Sequence, residues 1–508
     1  MQTVGELMSA PVVTATPSDT VAAAAARMAE RTVGSVIVVD GEAVTGILTE
    51  RDLLRVAAAG TDPGTTVVGD WMTPDPDTVG PGEPADAAFD RLAEKGYRHI
   101  PVCEDGRAVG VVSIRDLLRI ASIRPVTSPG AFEAPKGLAG VVVAETSVGD
   151  VRGQEGFYHY RQYSAVELAE QRSLEDVWHL MFEGELPTAD ERARFLDEVR
   201  PLRAVPPAVA ELLPAIARAA DPFVPLDALR TALSLFAYGA GMRAWLDVDA
   251  ATLRRDALRT CAVVPTLVMA LYRLQRGQEP IEPHPELGYA ANYLYMLTGE
   301  VPPAEEARAL EQYLISTVDH GFNASTFAAR VIASTGADLG AAVVGAVSAL
   351  SGPLHGGAPS RALDMLDAIG EPANADAWVR NAVERGDRIM GFGHRVYKTD
   401  DPRSVMLRGV AQRLGGDLAD FAVQVERTVV DVLAELKPGR QLYANVEFYA
   451  GVVMSRCGLP RELFTPTFAT SRVIGWCANI LEQAADNRIF RPNARYVGPP
   501  PPQPVPPA

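Results

Sequence analysis

Hydrophobic and polar positions follow two different rhythms, one in the first quarter of the chain and another in the remainder. The first quarter alternates alanine-rich amphipathic stretches with short β-branched runs and polar turns, which predicts alternating helices and strands. From Gly137 to about Tyr496 apolar residues recur mostly at helical spacing, and long helices are predicted at 165–182, 254–275 and 418–436. We therefore expect a multidomain protein in which an α/β module precedes a mostly α-helical region.

The first quarter also contains an internal repeat. V-G-E-L-M at 4–8 returns as V-G-D-W-M at 68–72, and G-I-L-T-E-R-D-L-L-R at 46–55 returns as G-V-V-S-I-R-D-L-L-R at 110–119. Both pairs are offset by 64 residues (68 − 4 and 110 − 46). Because the offset is constant, the whole unit repeats without a gap, which is hard to obtain by chance.

Each copy of the repeat predicts the same order of elements: helix, strand, short polar turn, strand and helix. Helices are predicted at 21–30, 50–57, 85–95 and 114–121, and strands at 35–39, 44–48, 99–103 and 108–112. A single copy offers too little core to stand alone. We therefore expect the two copies to pack face to face.

The repeat resembles a pair of cystathionine-β-synthase-type (CBS) modules over residues 1–122. The resemblance implies that an adenine nucleotide binds where a strand leads into a helix, with its ribose at a T/S-x-x-D step and its phosphates at the helix N-terminus. The matching residues are Thr49 and Asp52 in the first copy and Ser113 and Asp116 in the second. The alternative is that each step only caps its helix. Since the step occurs twice in register, both interpretations stay open.

Proline-rich stretches mark the limits of the predicted domains. P-V-T-S-P-G-A-F-E-A-P-K at 125–136 is typical of a linker, and the final P-P-P-P-Q-P-V-P-P-A is typical of an extended tail. The predicted divisions are the paired modules at 1–122 (copies at about 1–60 and 65–122), the linker at 123–136, a helical domain at 137–496 and the tail at 497–508.

Composition and charge exclude several classes of protein. At 508 residues the chain is too long for one compact core. Its net charge of −17 argues against a nucleic-acid partner, which needs a basic surface. The four cysteines lie far apart without metal-ligand spacing, so we expect no metal site and a reducing compartment. Because neither a signal peptide nor a membrane span is evident, we expect a soluble cytoplasmic protein.

Three short runs in the C-terminal half carry the candidate chemistry. They are S-G-P-L-H-G-G-A-P-S (351–360), G-F-G-H-R-V-Y-K-T-D-D-P-R (391–403) and Y-A-N-V-E-F-Y-A-G (443–451). Two of the seven histidines, His355 and His394, lie there in glycine-flanked settings, and the carboxylate of Glu447 follows. Glycines allow a substrate to approach the backbone closely, and imidazoles can move protons near neutral pH. The runs together favour a site for proton transfer.

These runs belong to an ordered set of motifs by which residues 137–496 resemble citrate synthase. The other members are G-L-A-G-V-V-V-A-E-T-S (137–147), which matches the family's opening strands, V-D-H-G-F-N-A-S-T-F (318–327), S-R-V-I-G-W (471–476) and F-R-P (490–492). The resemblance implies a two-lobed helical acyltransferase, with the smaller lobe at about 356–456. The expected reaction condenses acetyl-CoA with oxaloacetate and hydrolyses the citryl thioester.

The resemblance implies a role for each residue of the catalytic trio. Glu447 would remove the methyl proton next to the thioester, His355 would stabilise the enol oxygen, and His394 would donate to the acceptor carbonyl. Both histidines would act as neutral imidazoles, so we expect their pKa values to lie below the ordinary range.

Binding residues are also implied by the resemblance. The carboxylates of the acceptor would meet His320, Arg403, Arg472 and Arg491, and the last of these would reach the partner subunit of a homodimer or higher homo-oligomer. The phosphates of CoA would lie near Arg395 and Lys398. Beyond the CoA thioester as substrate and an adenine nucleotide as effector, no cofactor or metal is implied.

Two departures from the family pattern bear on the activity. Glu447 stands where the family usually has Asp, which moves the carboxylate by about one bond length. Gly321 and Phe322 follow His320 where other residues are more common, which would reshape the acceptor pocket.

Two alternatives to an acetyl-CoA-dependent citrate synthase stay open. The first is a 2-methylcitrate synthase that takes propionyl-CoA, because one methylene gives only ~1–3 kcal/mol of discrimination in an apolar pocket. The second is a catalytically silent protein that binds nucleotides.

Overall fold

A computed structural model of the chain describes residues 3–31, 33–95, 97–113, 134–138, 140–353, 355, 358–394, 396–437, 442–499 and 501–503. The chain divides into two compact units. The first comprises Met1–Val143 with Pro492–Ala508, and the second comprises Ala144–Arg491.

The first unit contains both copies of the repeat, with the α/β character predicted for them. Its helices are α1 (Val21–Arg31), α2 (Glu50–Ala58) and α3 (Ala85–Lys95). Its strands are β1 (Thr14–Ala15), β2 (Ser35–Asp40), β3 (Ala43–Thr49), β4 (Thr73–Pro74), β5 (His99–Glu104) and β6 (Arg107–Ser113). The sheet has the order β1-β2-β3-β6-β5, with β4 paired to β3. The helix predicted at 114–121 lies outside the described residues, as does most of the predicted linker.

The two copies exchange their first segments. Val4 of the first copy donates its backbone N–H to Glu83 of the second (2.9 Å), and Val68 of the second copy donates to Asp19 of the first (2.8 Å). Each valine is fully buried in the small core of the opposite copy. A Cβ at Gly110 would clash with the side chain of Met8 in the exchanged segment. This contact explains why the repeat keeps both the methionine and the glycine.

The second unit is mostly helical and begins with a small antiparallel sheet. The sheet consists of β7 (Gly149–Arg152), β8 (Phe157–Tyr160) and β9 (Tyr163–Ser164) in that order. The helices are α4 (Ala165–Gln171), α5 (Leu174–Glu183), α6 (Ala189–Val199), α7 (Pro207–Ala210), α8 (Leu213–Ala217), α9 (Pro225–Gly239), α10 (Ala250–Gln275), α11 (Tyr289–Thr298), α12 (Ala304–Thr317), α13 (Ala324–Ser334), α14 (Leu339–Leu350), α15 (Ala358–Ile369), α16 (Ala375–Glu384), α17 (Pro402–Leu414), α18 (Asp417–Leu436), α19 (Val446–Arg456) and α20 (Phe464–Ala485). One hydrophobic core extends through this unit, from Val148 to Ile480.

Two local predictions are wrong for identifiable reasons. The strands expected within 137–147 do not form in its described residues. Gly137 and Leu138 lie in a short 3₁₀ turn with left-handed backbone angles (φ 72° and 56°), and residues 141–146 pair with no strand. The single helix predicted at 165–182 is two helices. Ser173 interrupts it, since its hydroxyl accepts a hydrogen bond from the Asp176 N–H (3.2 Å) and caps α5.

Helix α10 is apolar enough to resemble a membrane span. Among the described residues it is the one helix whose length and composition would allow it to cross a bilayer. However, 83% of its most apolar stretch is buried inside the protein, against other helices of the second unit. Its sequence is thus that of a central core helix.

Helix α20 approaches the end of α12 closely because residue 475 is glycine. A Cβ at Gly475 would clash with the backbone carbonyl of Val318 and would lie 3.2 Å from the Cβ of Asp319. These two residues immediately precede His320 in the chain. The packing of α20 therefore fixes the position of a predicted substrate ligand.

We expect Gly475→Ala to destabilise the protein and to weaken its activity together. The added methyl group meets backbone atoms, which cannot rotate away, so the free energy of unfolding should fall by about 1–3 kcal/mol. Urea unfolding measures this loss, and steady-state kinetics measure the effect on the site.

The matched control is Gly409→Ala in α17. The nearest atom to a Cβ there is the flexible Arg413 guanidinium at 3.6 Å. Alanine favours a helix over glycine by about 0.5–1 kcal/mol, so this variant should be as stable as the wild type or more stable. Equal stabilities for the two variants would contradict the close approach at Gly475.

Candidate active site

The centre of the candidate site is an ion pair that the sequence did not predict. Arg403 donates through Nε and Nη2 to the two oxygens of Asp401, at 3.0 and 2.8 Å. Both side chains are buried, with 3% and 2% of their surfaces exposed. Asp401 also caps α17 by accepting the Arg403 backbone N–H, and it accepts the Val446 N–H at the start of α19 (3.0 Å). The pair therefore joins two helix N-termini.

Burial and charge act in opposite directions on this pair. Burial opposes ionisation of Asp401, but the charge and the hydrogen bonds of Arg403 outweigh it, so the pKa of Asp401 lies below its ordinary value. Burial likewise opposes the charge on Arg403, yet Asp401 raises its pKa above the usual range. Both groups are therefore ionised, and each compensates the other for the loss of water. The sequence signal was Asp401-Pro402, which is typical of an N-cap followed by the first helical residue.

Backbone contacts fix the tautomer of His394. Its Nδ1 accepts hydrogen bonds from the N–H groups of Val396 (3.0 Å) and Tyr397 (3.1 Å). In a neutral imidazole the hydrogen must then be on Nε2. The Nη2 of Arg403 is 3.4 Å from this Nε2, and because both atoms carry hydrogen this is a close approach and not a hydrogen bond. Burial and then the charge of Arg403 lower the pKa of His394 to about 4.

His320 lies next to His394, as its predicted role requires. The two rings meet edge to face, with centroids 5.6 Å apart. Its Nε2 is 2.9 Å from the hydroxyl of Tyr397, a partner that the sequence did not predict. Burial, followed by the charges of Arg403 and Arg472, holds the pKa of His320 well below its ordinary value. His320 is therefore a neutral imidazole.

His355 is held by a hydroxyl on α13. Its Nε2 is 2.9 Å from Oγ of Ser325, and the same oxygen accepts the indole N–H of Trp476 (3.1 Å). Asn323 caps α13 and thereby orients the first turn that carries Ser325. Burial and then the charge of Arg472 lower the pKa of His355 to about 4. The expectation that both predicted catalytic histidines are neutral agrees with these values.

Glu447 begins α19, where Asn445 accepts its backbone N–H (3.1 Å). Burial raises the pKa of Glu447 to about 7, although the charge of Arg403 opposes the rise. The side chain lines a cavity of about 30 Å³ together with His355, Tyr313, Thr317 and Phe468. A carboxyl group that exchanges its proton near neutral pH thus shares a cavity with a neutral imidazole.

Arg472 is buried in α20 with 2% of its surface exposed. Its Nε donates to the Thr317 carbonyl (2.8 Å), and its guanidinium lies 4.5 Å from the centre of the Phe468 ring. No carboxylate in the described part of the chain forms an ion pair with it, and burial lowers its pKa. The other N–H groups of the Arg472 guanidinium can therefore donate to an anionic ligand.

Two predicted ligands are not brought into the cluster, and a third is not among the described residues. Arg491 is exposed near the end of the second unit, and Lys398 is exposed beyond Tyr397. Arg395 lies outside the described residues. The roles predicted for all three stay predictions.

The predicted nucleotide residues of the first unit have two different settings. Thr49 and Asp52 form a capping box, in which the Thr49 hydroxyl donates to the Asp52 carboxylate (2.8 Å) and Asp52 also pairs with Arg55 (3.1 Å). Ser113 lines a cavity of about 690 Å³ between the two copies. Asp116 lies outside the described residues.

Comparison with known proteins agrees with the geometry of both units. The family model for the C-terminal domain of citrate synthase matches residues 137–493, and the model for the CBS domain matches 4–59 and 68–123. The chain belongs to the citrate synthase family, whose members are acyltransferases, and it carries an N-terminal pair of CBS domains.

Several relatives cover most of the chain. A 2-methylcitrate synthase of Mycobacterium tuberculosis is 40% identical over 386 residues, which are 75% of this chain and 95% of the relative. A citrate synthase of Synechocystis is 38% identical over 368 residues, or 72% and 90% of the two chains. The solved citrate synthase of Thermoplasma acidophilum, a ternary complex with carboxymethyl coenzyme A and oxaloacetate, is 30% identical. It has a TM-score of 0.68 and covers 74% of this chain and 98% of its own.

The raised pKa of Glu447 should appear as a pH-dependent loss of stability. Its value of about 7 lies above the ordinary 4.5, so the native state resists ionisation. The stabilising contribution of the protonated form is complete below pH 4.5 and is lost as the pH rises through 7. Glu447→Gln cannot ionise, so it should be more stable than the wild type at pH 8, by up to about 3 kcal/mol, and similar at pH 4.5.

Thermal and urea unfolding at the two pH values measure this difference. The control is Glu371→Gln, since the Glu371 side chain is exposed and should change stability equally at both pH values. A difference between Glu447→Gln and the wild type that does not depend on pH would contradict the assignment.

Proposed function

We propose that this protein is a citrate synthase, which joins acetyl-CoA to oxaloacetate and hydrolyses the citryl thioester to citrate and CoA. The observation that carries the proposal is the shared cavity of Glu447 and His355, in which burial raises the pKa of the carboxyl group and lowers that of the imidazole. Removal of a weakly acidic methyl proton needs a base of this kind and a neutral donor for the enol oxygen.

In the first step Glu447 takes a proton from the methyl carbon of acetyl-CoA. The C–H electron pair forms a carbon–carbon double bond, and the carbonyl π pair moves to the thioester oxygen. His355 donates to that oxygen through Nδ1, since Nε2 is occupied by Ser325. Nδ1 carries the hydrogen only when the Ser325 hydroxyl donates to Nε2. That hydroxyl lies 2.8 Å from Oδ1 of Asn323 and accepts the indole N–H of Trp476, so its one hydrogen must turn from Asn323 to His355 for this step.

In the second step the enol carbon attacks the ketone of oxaloacetate. The pair of the carbon–carbon double bond forms the new bond, the thioester carbonyl forms again, and the ketone π pair moves to the ketone oxygen. His394 donates its Nε2–H to the ketone oxygen, because its Nδ1 is held by two backbone N–H groups. Arg403, Arg472 and His320 bind the two carboxylates, and Arg491 of a partner subunit completes the set in a homodimer. Water then hydrolyses the thioester after the lobes have closed over the product.

The size of the cavity favours acetyl-CoA over propionyl-CoA. A cavity needs about 10–15 Å³ to hold one water molecule, so a cavity of about 30 Å³ has room for a methyl group and little more. The second candidate, a 2-methylcitrate synthase, is favoured by the 40% identity to a protein of that name. Because the side chain of Glu447 is one methylene longer than that of Asp, its carboxylate reaches further into the cavity.

We expect kcat/KM to be about 10- to 100-fold higher for acetyl-CoA than for propionyl-CoA, since one methylene must be excluded. Thiol release with oxaloacetate as acceptor measures both values under the same conditions. A preference for propionyl-CoA would establish the second candidate instead. No thiol release with either substrate would favour a catalytically silent, nucleotide-binding protein.

We also propose that adenine nucleotides regulate the enzyme through the cavity of about 690 Å³ in the first unit. Ser113 lines this cavity, whereas the capping box of Thr49 and Asp52 would have to open before its groups could bind a ribose. Most of the residues that line the cavity belong to the first copy, so the ligand would lie along that copy and would meet the second copy at Ser113 and its neighbours.

Calorimetry of the full-length protein with AMP, ADP and ATP should detect binding of at least one of them, and the bound nucleotide should change turnover. Ser113→Ala should weaken this binding about 5- to 10-fold, because one hydrogen bond to the ligand is lost. Ser18→Ala, at an exposed position, is the control. Absence of binding by all three nucleotides would remove the proposal.

A further inference from the structure

One buried hydroxyl group next to the predicted base has no role so far. Tyr313 lies on α12 with 1% of its surface exposed. No described residue forms a hydrogen bond with its hydroxyl group. A buried hydroxyl without a partner costs free energy, and native proteins keep few of them without a function.

The other fully buried tyrosines all have a hydrogen bond. Tyr158 and Tyr160 donate to backbone carbonyls of α12, at 3.2 and 2.8 Å. Tyr293 bonds to the hydroxyl of Thr467 (2.9 Å), and Tyr449 donates to the carboxylate of Glu426. The unused hydroxyl of Tyr313 is therefore an exception within its own protein.

The location of Tyr313 indicates which substrate its hydroxyl meets. It lines the same small cavity as Glu447 and His355, and Arg403, His320 and His394 are not among the lining residues. Tyr313 therefore lies at the half of the site that would handle the acyl group. An acyl thioester brings one strong acceptor into that half, its carbonyl oxygen.

Tyr313 remains a donor throughout the reaction. Burial, and then the nearby charge of Glu447, raise the pKa of Tyr313 above its ordinary value, so the phenol keeps its proton at neutral pH. A neutral donor strengthens its hydrogen bond as negative charge develops on the acceptor, which is how oxyanion holes stabilise enolates.

We propose that the Tyr313 hydroxyl is a second hydrogen-bond donor, beside His355, to the thioester oxygen of acyl-CoA. The inference rests on the proposed function. When Glu447 takes the methyl proton, the C–H pair forms the carbon–carbon double bond and the carbonyl π pair moves to oxygen. Tyr313 and His355 stabilise that oxygen from two directions, and no proton leaves the phenol.

The test is Tyr313→Phe in the full-length protein, which removes only the hydroxyl. We expect kcat with acetyl-CoA and oxaloacetate to fall about 10- to 100-fold, while KM for acetyl-CoA changes less than about 3-fold. Exchange of the acetyl-CoA methyl protons for deuterium, followed by NMR with a non-condensing oxaloacetate analogue, should slow by the same factor. A role confined to structure would not slow this exchange.

The matched control is Tyr293→Phe. Tyr293 is also fully buried, but its hydroxyl is bonded to Thr467. This variant should have a lower Tm and an unchanged kcat. Tyr313→Phe should keep the Tm of the ligand-free protein or raise it, since no hydrogen bond is lost. Equal losses of Tm in the two variants would overturn the inference.

The remaining outcomes separate the competing explanations. An unchanged kcat and exchange rate in Tyr313→Phe, with an active wild type, would overturn the inference and leave the proposed function intact. A shift of the pH profile of kcat/KM at an unchanged limiting rate would also overturn it, because the hydroxyl would then serve Glu447. A wild type that releases no thiol with either acyl-CoA would overturn both proposals.

Discussion

The buried ion pair of Arg403 and Asp401 is the interaction on which the rest of the candidate site depends. Removing two charges from water is costly unless each finds a partner with good geometry, and here the guanidinium donates twice to the carboxylate. The same carboxylate ends one loop, starts α17 and accepts the Val446 N–H just before Glu447. A single charged group thus sets the position of a predicted acceptor ligand and of the predicted base, which belong to different helices.

A water-poor environment has opposite effects on the two kinds of acid–base group in this cluster. It destabilises imidazolium, so the pKa values of His355 and His394 fall to about 4, and it destabilises carboxylate, so that of Glu447 rises to about 7. Both changes suit enolisation, because the donors stay neutral and the base can both take and return a proton. The charge of Arg403 limits the rise in the pKa of Glu447 and adds to the fall at His394, while the charge of Arg472 adds to the fall at His355. Without the charge of Arg403 the pKa of Glu447 would be higher, and fewer molecules would carry the ionised carboxylate at neutral pH.

The sequence predicted those parts of the protein that rest on local patterns or on ordered motifs. The class of each unit and the repeat were predicted in this way and are confirmed, and the roles of the two histidines and the carboxylate stay predictions. Asp401 could have been identified as well, from its place before a proline at a helix start. Ser325, Tyr397 and Tyr313 could not, because their importance comes from contacts between helices that are distant in sequence. The strands expected within 137–147 failed because a β-branched composition does not by itself supply a partner strand, and residues 141–146 have none.

The exchange of first segments in the CBS pair has a consequence for how this unit is made. The first copy completes its core with Val68, and the second with Val4, so neither copy is whole when its own sequence ends. During synthesis the core of the first copy cannot be completed until Val68, at the start of the second copy, has been made. Val4 cannot be buried until the second copy has been made. The two copies therefore form one folding unit, because each supplies a segment to the core of the other. A gene that lost either copy would encode a single copy whose core lacks the segment that the other supplies.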